Sequence, residues 1–313
     1  MKLKNGNISQ DLDRWTKAYF NHIKTLSYSN NTFLLYERIL LEFVEYSLDY
    51  QDEMQINDIK TLFIVNFLDY LEKRSKNVEK LSKKTKLTYL RIISSFFTFI
   101  NDNNDDFYQF NFNLSKIKFR TEKAEEKIEY LNENEITSLL NVLEREKVRK
   151  DDYNSYRNAL LIKLMLFAGL RISEALNVKL CDFVSDDEEV IRISIFAKGG
   201  KEQFAYIKNS EINDELEYFK EHLNTDDFIM KTTNNKILNR SNAFIIINRI
   251  YAKALIAKKG LHLLRHTFAM RLTNKGTNLV FIQKLLRHSN INTTTIYAKA
   301  DKENTKKALI GAS

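Results

Sequence analysis

Residues 260–297 read GLHLLRHTFAMRLTNKGTNLVFIQKLLRHSNINTTTIY. At helical spacing, His262, Arg265 and His266 fall within little more than one turn. His288 and Tyr297 follow, and three of the chain's five histidines lie in this stretch. From Phe228 to Ala300 there is no Asp or Glu. The same span carries Lys231, Lys236, Arg240, Arg249, Lys253, Lys258, Lys259, Arg265, Arg271, Lys275, Lys284, Arg287 and Lys299, in a chain with 41 acidic residues. So long an acid-free run predicts a surface that faces anions, and a closely spaced phosphate backbone is the anion that fits.

The rest of the chain is consistent with that partner. Its 313 residues suffice for two domains, each with its own core. Hydrophobic content of 43%, charged content of 29% and a net charge of +8 describe a globular protein that leans towards nucleic acid. The single cysteine, Cys181, has no intrachain disulfide partner, and we expect it to pack as a small apolar residue in a reducing compartment. No segment has the apolar length of a membrane span, and the N-terminal MKLKNGNISQDLDRW lacks the apolar stretch of a signal peptide. We therefore read the protein as cytoplasmic, with no membrane partner.

Residues 1–112 carry apolar positions at helical spacing in 12–26, 33–48, 59–71 and 87–100. Ser29, Thr32, Tyr36, Leu40 and Phe43 recur 53 residues later as Ser82, Thr85, Tyr89, Ile93 and Phe96, with each serine where an N-cap belongs. Between these helices, residues 73–91 hold eight Lys or Arg against Glu79 alone; Lys83, Lys84 and Lys86 are the candidate phosphate contacts. Residues 113–128 are polar and weakly periodic, as a linker is. Residues 129–313 form the second domain. Asn132 with Glu135 predicts a capping box opening a helix to about Glu146. Residues 153–168 predict an apolar helix ending at Gly169, followed by further helix from Leu170 to Val178. The period then changes: 189–196 and 203–209, joined by AKGGKE, predict a β-hairpin. Helices resume at 211–223, at 241–257, through the opening stretch and at 302–310. The fold class is therefore mainly α with a small β-hairpin or sheet, an α+β second domain after a helical first one.

Arg171, Lys198, His262, Arg265, His288 and Tyr297 form a set suited to phosphodiester chemistry. Two guanidiniums match the non-bridging oxygens of a phosphate. Histidines donate or shuttle a proton near neutral pH. A lysine on a hairpin tip is placed to protonate a leaving oxygen, with Lys201 in the same turn as its rival. A phenol is a weak nucleophile, and we expect the surrounding cations to lower its pKa. Lone readings of these residues are plainer. Arg171 is placed to pair with Glu174. His262 and His266, four residues apart, have the spacing of helical zinc ligands, but no acidic third ligand is near in sequence, so we read no metal and place His266 beside the site. No G-x-x-x-x-G-K-[ST] loop occurs, and no cofactor is expected.

The stretches AGLRISEAL (168–176), AKGGKE (197–202), HLLRHTFA (262–269) and LLRHSNINTTTIY (285–297) resemble the tyrosine recombinase/integrase family, most closely its Xer-type members. The two S-x-x-T-x-x-x-Y helices also look like that family's core-binding domain, so the likeness spans nearly the whole chain. It implies that Arg171, Arg265 and His288 bind the scissile phosphate. It makes Lys198 the general acid for the 5′-hydroxyl, has His262 assist proton transfer, and has Tyr297 form a 3′-phosphotyrosyl link. It further implies a two-domain clamp on double-stranded DNA carrying a specific recombination site. Arg240, Asn242, Arg249 and Lys253 would then be groove contacts. A homotetramer on two sites would be joined by an exchange helix at 302–310, with a DNA translocase as a further partner. Resolution of chromosome dimers is the expected role; integration of a mobile element and nicking-resealing of the type IB topoisomerase kind are the alternatives. One departure is Arg287, where the family usually has glycine.

Overall fold

The computed structural model describes residues 1–74, 81–114, 117, 119, 128–196, 202–288 and 292–300. It divides into two compact units, Met1–Ala124 and Glu125–Ser313.

The first unit is helical: α1 (Ile8–Thr25), α2 (Asn30–Ser47), α3 (Thr61–Arg74) and α4 (Lys83–Asn103). Ser29 and Ser82 cap α2 and α4, each accepting the backbone N–H of the threonine three residues on. The paired pattern is thus a shared helix start, and its apolar members Leu40, Phe43, Ile93 and Phe96 are fully buried. The core is aromatic: Phe43 meets Phe63, Phe67 and Phe97 edge-on, a geometry the ring quadrupole favours. Leu114, Ile117 and Phe119 from the expected linker pack against this core, whereas Ile128 packs in the second unit.

The second unit begins with α5 (Glu133–Lys150), opened by the Asn132–Glu135 capping box and four residues longer than expected. Next comes α6 (Tyr153–Phe167), buried on all sides from Ala159 to Leu166, which makes it the hub on which α5 and later helices pack. Gly169 turns the chain at φ 61°. The helix expected through Val178 is only the single turn α7 (Ile172–Ala175). Val178 O instead accepts Ile229 N–H at 3.1 Å and Lys179 bridges to Phe228, so the chain is drawn into extended pairing.

The β-hairpin is a three-stranded antiparallel sheet: β1 (Phe183–Ser185), β2 (Val190–Phe196) and β3 (Glu202–Lys208), in that order. Ile191, Ile193 and Ile195 face the core, as period-2 alternation requires. There follow α8 (Asn209–His222), α9 (Arg240–Lys253), α10 (His262–Asn274), α11 (Leu279–Leu286) and α12 (Asn292–Ala300). Helix α9 stops short of residue 257 because Leu255 turns left-handed at φ 58°. The expected helix at 302–310 lies outside the described residues. Cys181 is exposed rather than packed, its Sγ 3.7 Å from Asp226 Oδ1, since neighbouring Leu180 takes the buried place. Among the described residues no helix is long and apolar enough to cross a membrane.

Candidate active site

Three arginines meet where the turn after α6 approaches the C-terminal end of α11. Arg171 stands at the N-cap of α7; its backbone N–H and Nη1 donate to the two oxygens of Glu174 at 2.8 and 2.7 Å. Arg265, in the first turn of α10, is buried and donates through Nη1 to Gly169 O and through Nη2 to Leu286 O. Arg287 caps α11 in the left-handed region (φ 54°) and turns its side chain inward, where only 4% of it is exposed. Its Nη2 lies 2.8 Å from Glu174 Oε2 and its Nη1 2.9 Å from Leu285 O.

A helix end leaves its last carbonyls without intrahelical partners and carries partial negative charge. Here three successive ones are taken by three different guanidiniums: Leu285 O by Arg287, Leu286 O by Arg265 and Arg287 O by Arg171 at 3.2 Å. Glu174 completes the cluster. Burial pushes its carboxyl up, but the Arg287 charge and hydrogen bonds from Arg171 and Arg287 more than offset this and hold it below its ordinary value. Burial, then Arg171 and Arg287, press the Arg265 guanidinium down to about 9, still protonated at neutral pH.

The histidines border this cluster. Burial, then Arg265, Arg171 and Arg287, push His288 down to about 4, so it is neutral at pH 7. Its Nδ1 is 2.8 Å from the hydroxyl of fully buried Thr294. With that hydroxyl donating, Nε2 carries the hydrogen and is left as a donor. His262 is likewise lowered by burial, then by Arg240, Arg265 and Arg171, and sits 6.2 Å ring to ring from His266. Both line a cleft of about 940 Å³ with Arg240, Phe244 and Ile296.

Tyr297 departs from expectation. It is 2% exposed and packs among Ala269, Met270, Ile282 and Leu286, with its phenol oxygen 2.9 Å from His266 Nδ1. Its pKa is raised, not lowered: burial outweighs the opposing Arg265 charge. His266 is thus the phenol's direct partner. Neither its contact with Tyr297 nor Thr294 behind His288 shows in the sequence except as helical spacings, Thr294 lying three residues before Tyr297.

The structure brings His262 and His288 each within electrostatic reach of both Arg171 and Arg265. Lys198, and its rival Lys201, lie outside the described residues. Of the candidate DNA contacts, Lys83 and Lys84 are exposed, but Lys86 is half-buried, 2.7 Å from Glu72 and over the Phe119 ring. Asn242, Arg249 and Lys253 share one side of α9 by their spacings of seven and four, whereas Arg240 turns to the His262 cleft. Lys253 is 2.8 Å from Glu146.

The acid-free run is not acid-free in space. Lys231 pairs with Asp227, Lys258 with Glu135, Arg271 with Glu133 and Arg287 with Glu174. Among the described residues no group of three or more His, Cys, Asp or Glu is placed to hold a metal ion.

Residues 129–304 match the phage integrase family. The chain is 31% identical over 235 residues to tyrosine recombinase XerH of Campylobacter jejuni, covering 73% of this chain and 65% of that protein. It is 27% identical over 303 residues to tyrosine recombinase XerC of Staphylococcus aureus, covering 95% of each. It superposes on a crystal structure of the XerH site-specific recombinase bound to palindromic difH substrate, a post-cleavage complex, with a TM-score of 0.76. That match has 26% identity and covers 96% of this chain and 84% of that one.

Proposed function

The chain belongs to the phage integrase family, the tyrosine-type site-specific recombinases, and from that premise we propose that it cleaves and rejoins DNA through a 3′-phosphotyrosyl intermediate on Tyr297. The observation that carries the reading is the Arg171–Glu174–Arg265 cluster, fixed by backbone carbonyls before any substrate arrives. Preorganised cations of this kind act on charge that develops in the transition state, in a site where reorganisation has already been met by folding.

In the proposed step, Arg171 and Arg265 take the non-bridging oxygens of the scissile phosphate and His288 donates through Nε2. The Tyr297 oxygen bonds to phosphorus as the bond to the 5′-oxygen breaks. The phenolic proton passes to neutral His262, and Lys198 protonates the departing 5′-oxygen. The phosphodiester's energy stays in the covalent link, so a free 5′-hydroxyl reverses the step without ATP. Attack by a hydroxyl from a second duplex exchanges strands. Tyr297 must first leave its contact with His266, which makes the buried phenol a resting position.

Likeness to the XerH site-specific recombinase bound to its difH substrate supports DNA with a specific site as substrate; resolution of chromosome dimers is the role in this reading. A homotetramer on two sites, assisted by a DNA translocase, belongs to the same reading. The test is a nicked suicide substrate carrying candidate sites from the source genome. The wild type should form a covalent adduct that survives EDTA, and Tyr297→Phe none. An adduct in that variant removes Tyr297 from its role.

A further inference from the structure

The Arg287 side chain is built into the cluster at a cost. A residue with a Cβ in the left-handed region is strained, a strain glycine lacks. The side chain is almost wholly buried, and its Nε is a buried donor with no hydrogen-bond partner among the described residues. Neither feature is needed to end α11, because a glycine in this backbone conformation ends a helix unaided. What the guanidinium does gain is Glu174, at 2.8 Å on the oxygen that also receives the Arg171 backbone N–H.

This changes the charge presented to a substrate. Glu174 faces Arg171 at 2.7 Å, Arg287 at 2.8 Å and Arg265 at 3.9 Å. Three guanidiniums against one carboxylate leave two formal positive charges uncompensated; without Arg287 only one remains. Arg287 spends its charge on the Glu174 carboxylate, with Nη2 on Oε2 and Nη1 on Leu285 O, whereas the Nη atoms of Arg265 donate to neutral carbonyls and lie no nearer than 3.9 Å to Glu174. The effect of Arg287 therefore passes through Glu174 and through its own carbonyl, which holds Arg171 Nη2 at 3.2 Å.

We propose that Arg287 is a positioning residue for strand cleavage: it neutralises Glu174, so that Arg171 and Arg265 meet the scissile phosphate with their positive charge largely uncompensated. This rests on the recombinase reading above. The alternative is that Arg287 merely packs the end of α11.

The two are separated by the charge of the substrate. Single-turnover cleavage by the full chain is measured on suicide substrates with either a phosphodiester or an uncharged methylphosphonate at the scissile position. Arg287→Gly, which relieves the backbone strain, should lose at least about tenfold on the phosphodiester and less than about threefold on the methylphosphonate. Arg287→Lys, which keeps the charge, should recover most of the phosphodiester rate. Equal losses on both substrates, or no loss on either, overturn the proposal. If Arg287→Gly does not fold, Arg287→Gln against Arg287→Lys makes the same comparison. A wild type that forms no adduct on either substrate defeats the recombinase reading and this proposal together. A wild type that reacts, beside an equally reactive Arg287→Gly, defeats this proposal alone.

Discussion

The Tyr297 phenol oxygen lies 2.9 Å from Nδ1 of His266, inside an apolar cluster. The two groups do not exchange a proton there. Their ordinary pKa values already differ by about 3.5 units, and burial raises the phenol and lowers the imidazole further. The contact is therefore a neutral hydrogen bond worth about 1 kcal/mol, holding the nucleophile at rest.

Replacing His266 by leucine should remove that restraint while keeping the space filled. Adduct formation by His266→Leu should be unimpaired or faster, by up to about fivefold. Single-turnover gel assays decide it. A loss of about a hundredfold or more would identify His266 as the general base instead.

The contrast between Asn132 and Tyr297 shows what is legible in the sequence. The capping box of Asn132 is local: donor and acceptor are three residues apart, so reading the sequence suffices. The same holds for Ser29, Ser82, the turn at Gly169 and the alternation of β2. Burial of Tyr297 is a property of packing between α10, α11 and α12, and no local pattern encodes it. The charge of the acid-free run is only partly legible for a related reason. Arg271, Lys258, Lys253 and Arg287 meet Glu133, Glu135, Glu146 and Glu174, drawn from outside the run by the fold, and Lys231 meets Asp227 just before it. The Arg171–Glu174 pair was readable because it is local, whereas the three carbonyls of α11 behind the arginines were not.

The histidines make stability depend on pH in a definite sense. His288 is lowered from 6.5 to about 4 by burial, then by its arginine neighbours; His262 and His266 are lowered too. As pH falls from 6.5 towards 4, the unfolded chain takes up protons that the folded chain refuses, so stability is lost across that window. The melting temperature of the full chain should drop between pH 7 and pH 4.5. His288→Asn, which can still accept from Thr294, should drop less steeply. Parallel profiles for the two proteins would show that His288 is not the source.

Gly169 supports the site through its backbone. At φ 61°, with its carbonyl taken by Arg265, it sits against the Phe268 ring, where an added Cβ would meet Cδ1 at 2.5 Å and Cε1 at 2.7 Å. Left-handed strain of about 1–2 kcal/mol adds to overpacking of about 1–3 kcal/mol, so Gly169→Ala should cost about 2–5 kcal/mol in urea unfolding. Cleavage should fall more than stability explains, because a shift of about 1 Å in a positioning group is worth up to about a hundredfold in rate. Gly276→Ala is the comparison: φ is again left-handed there, at 75°, but nothing lies within 4 Å of an added Cβ, so it should show strain alone and keep full cleavage. Shrinking the obstructing ring in a Gly169→Ala, Phe268→Leu double variant should restore part of the cleavage rate. If the double variant is no better than Gly169→Ala, the ring contact is not what holds Arg265 in place.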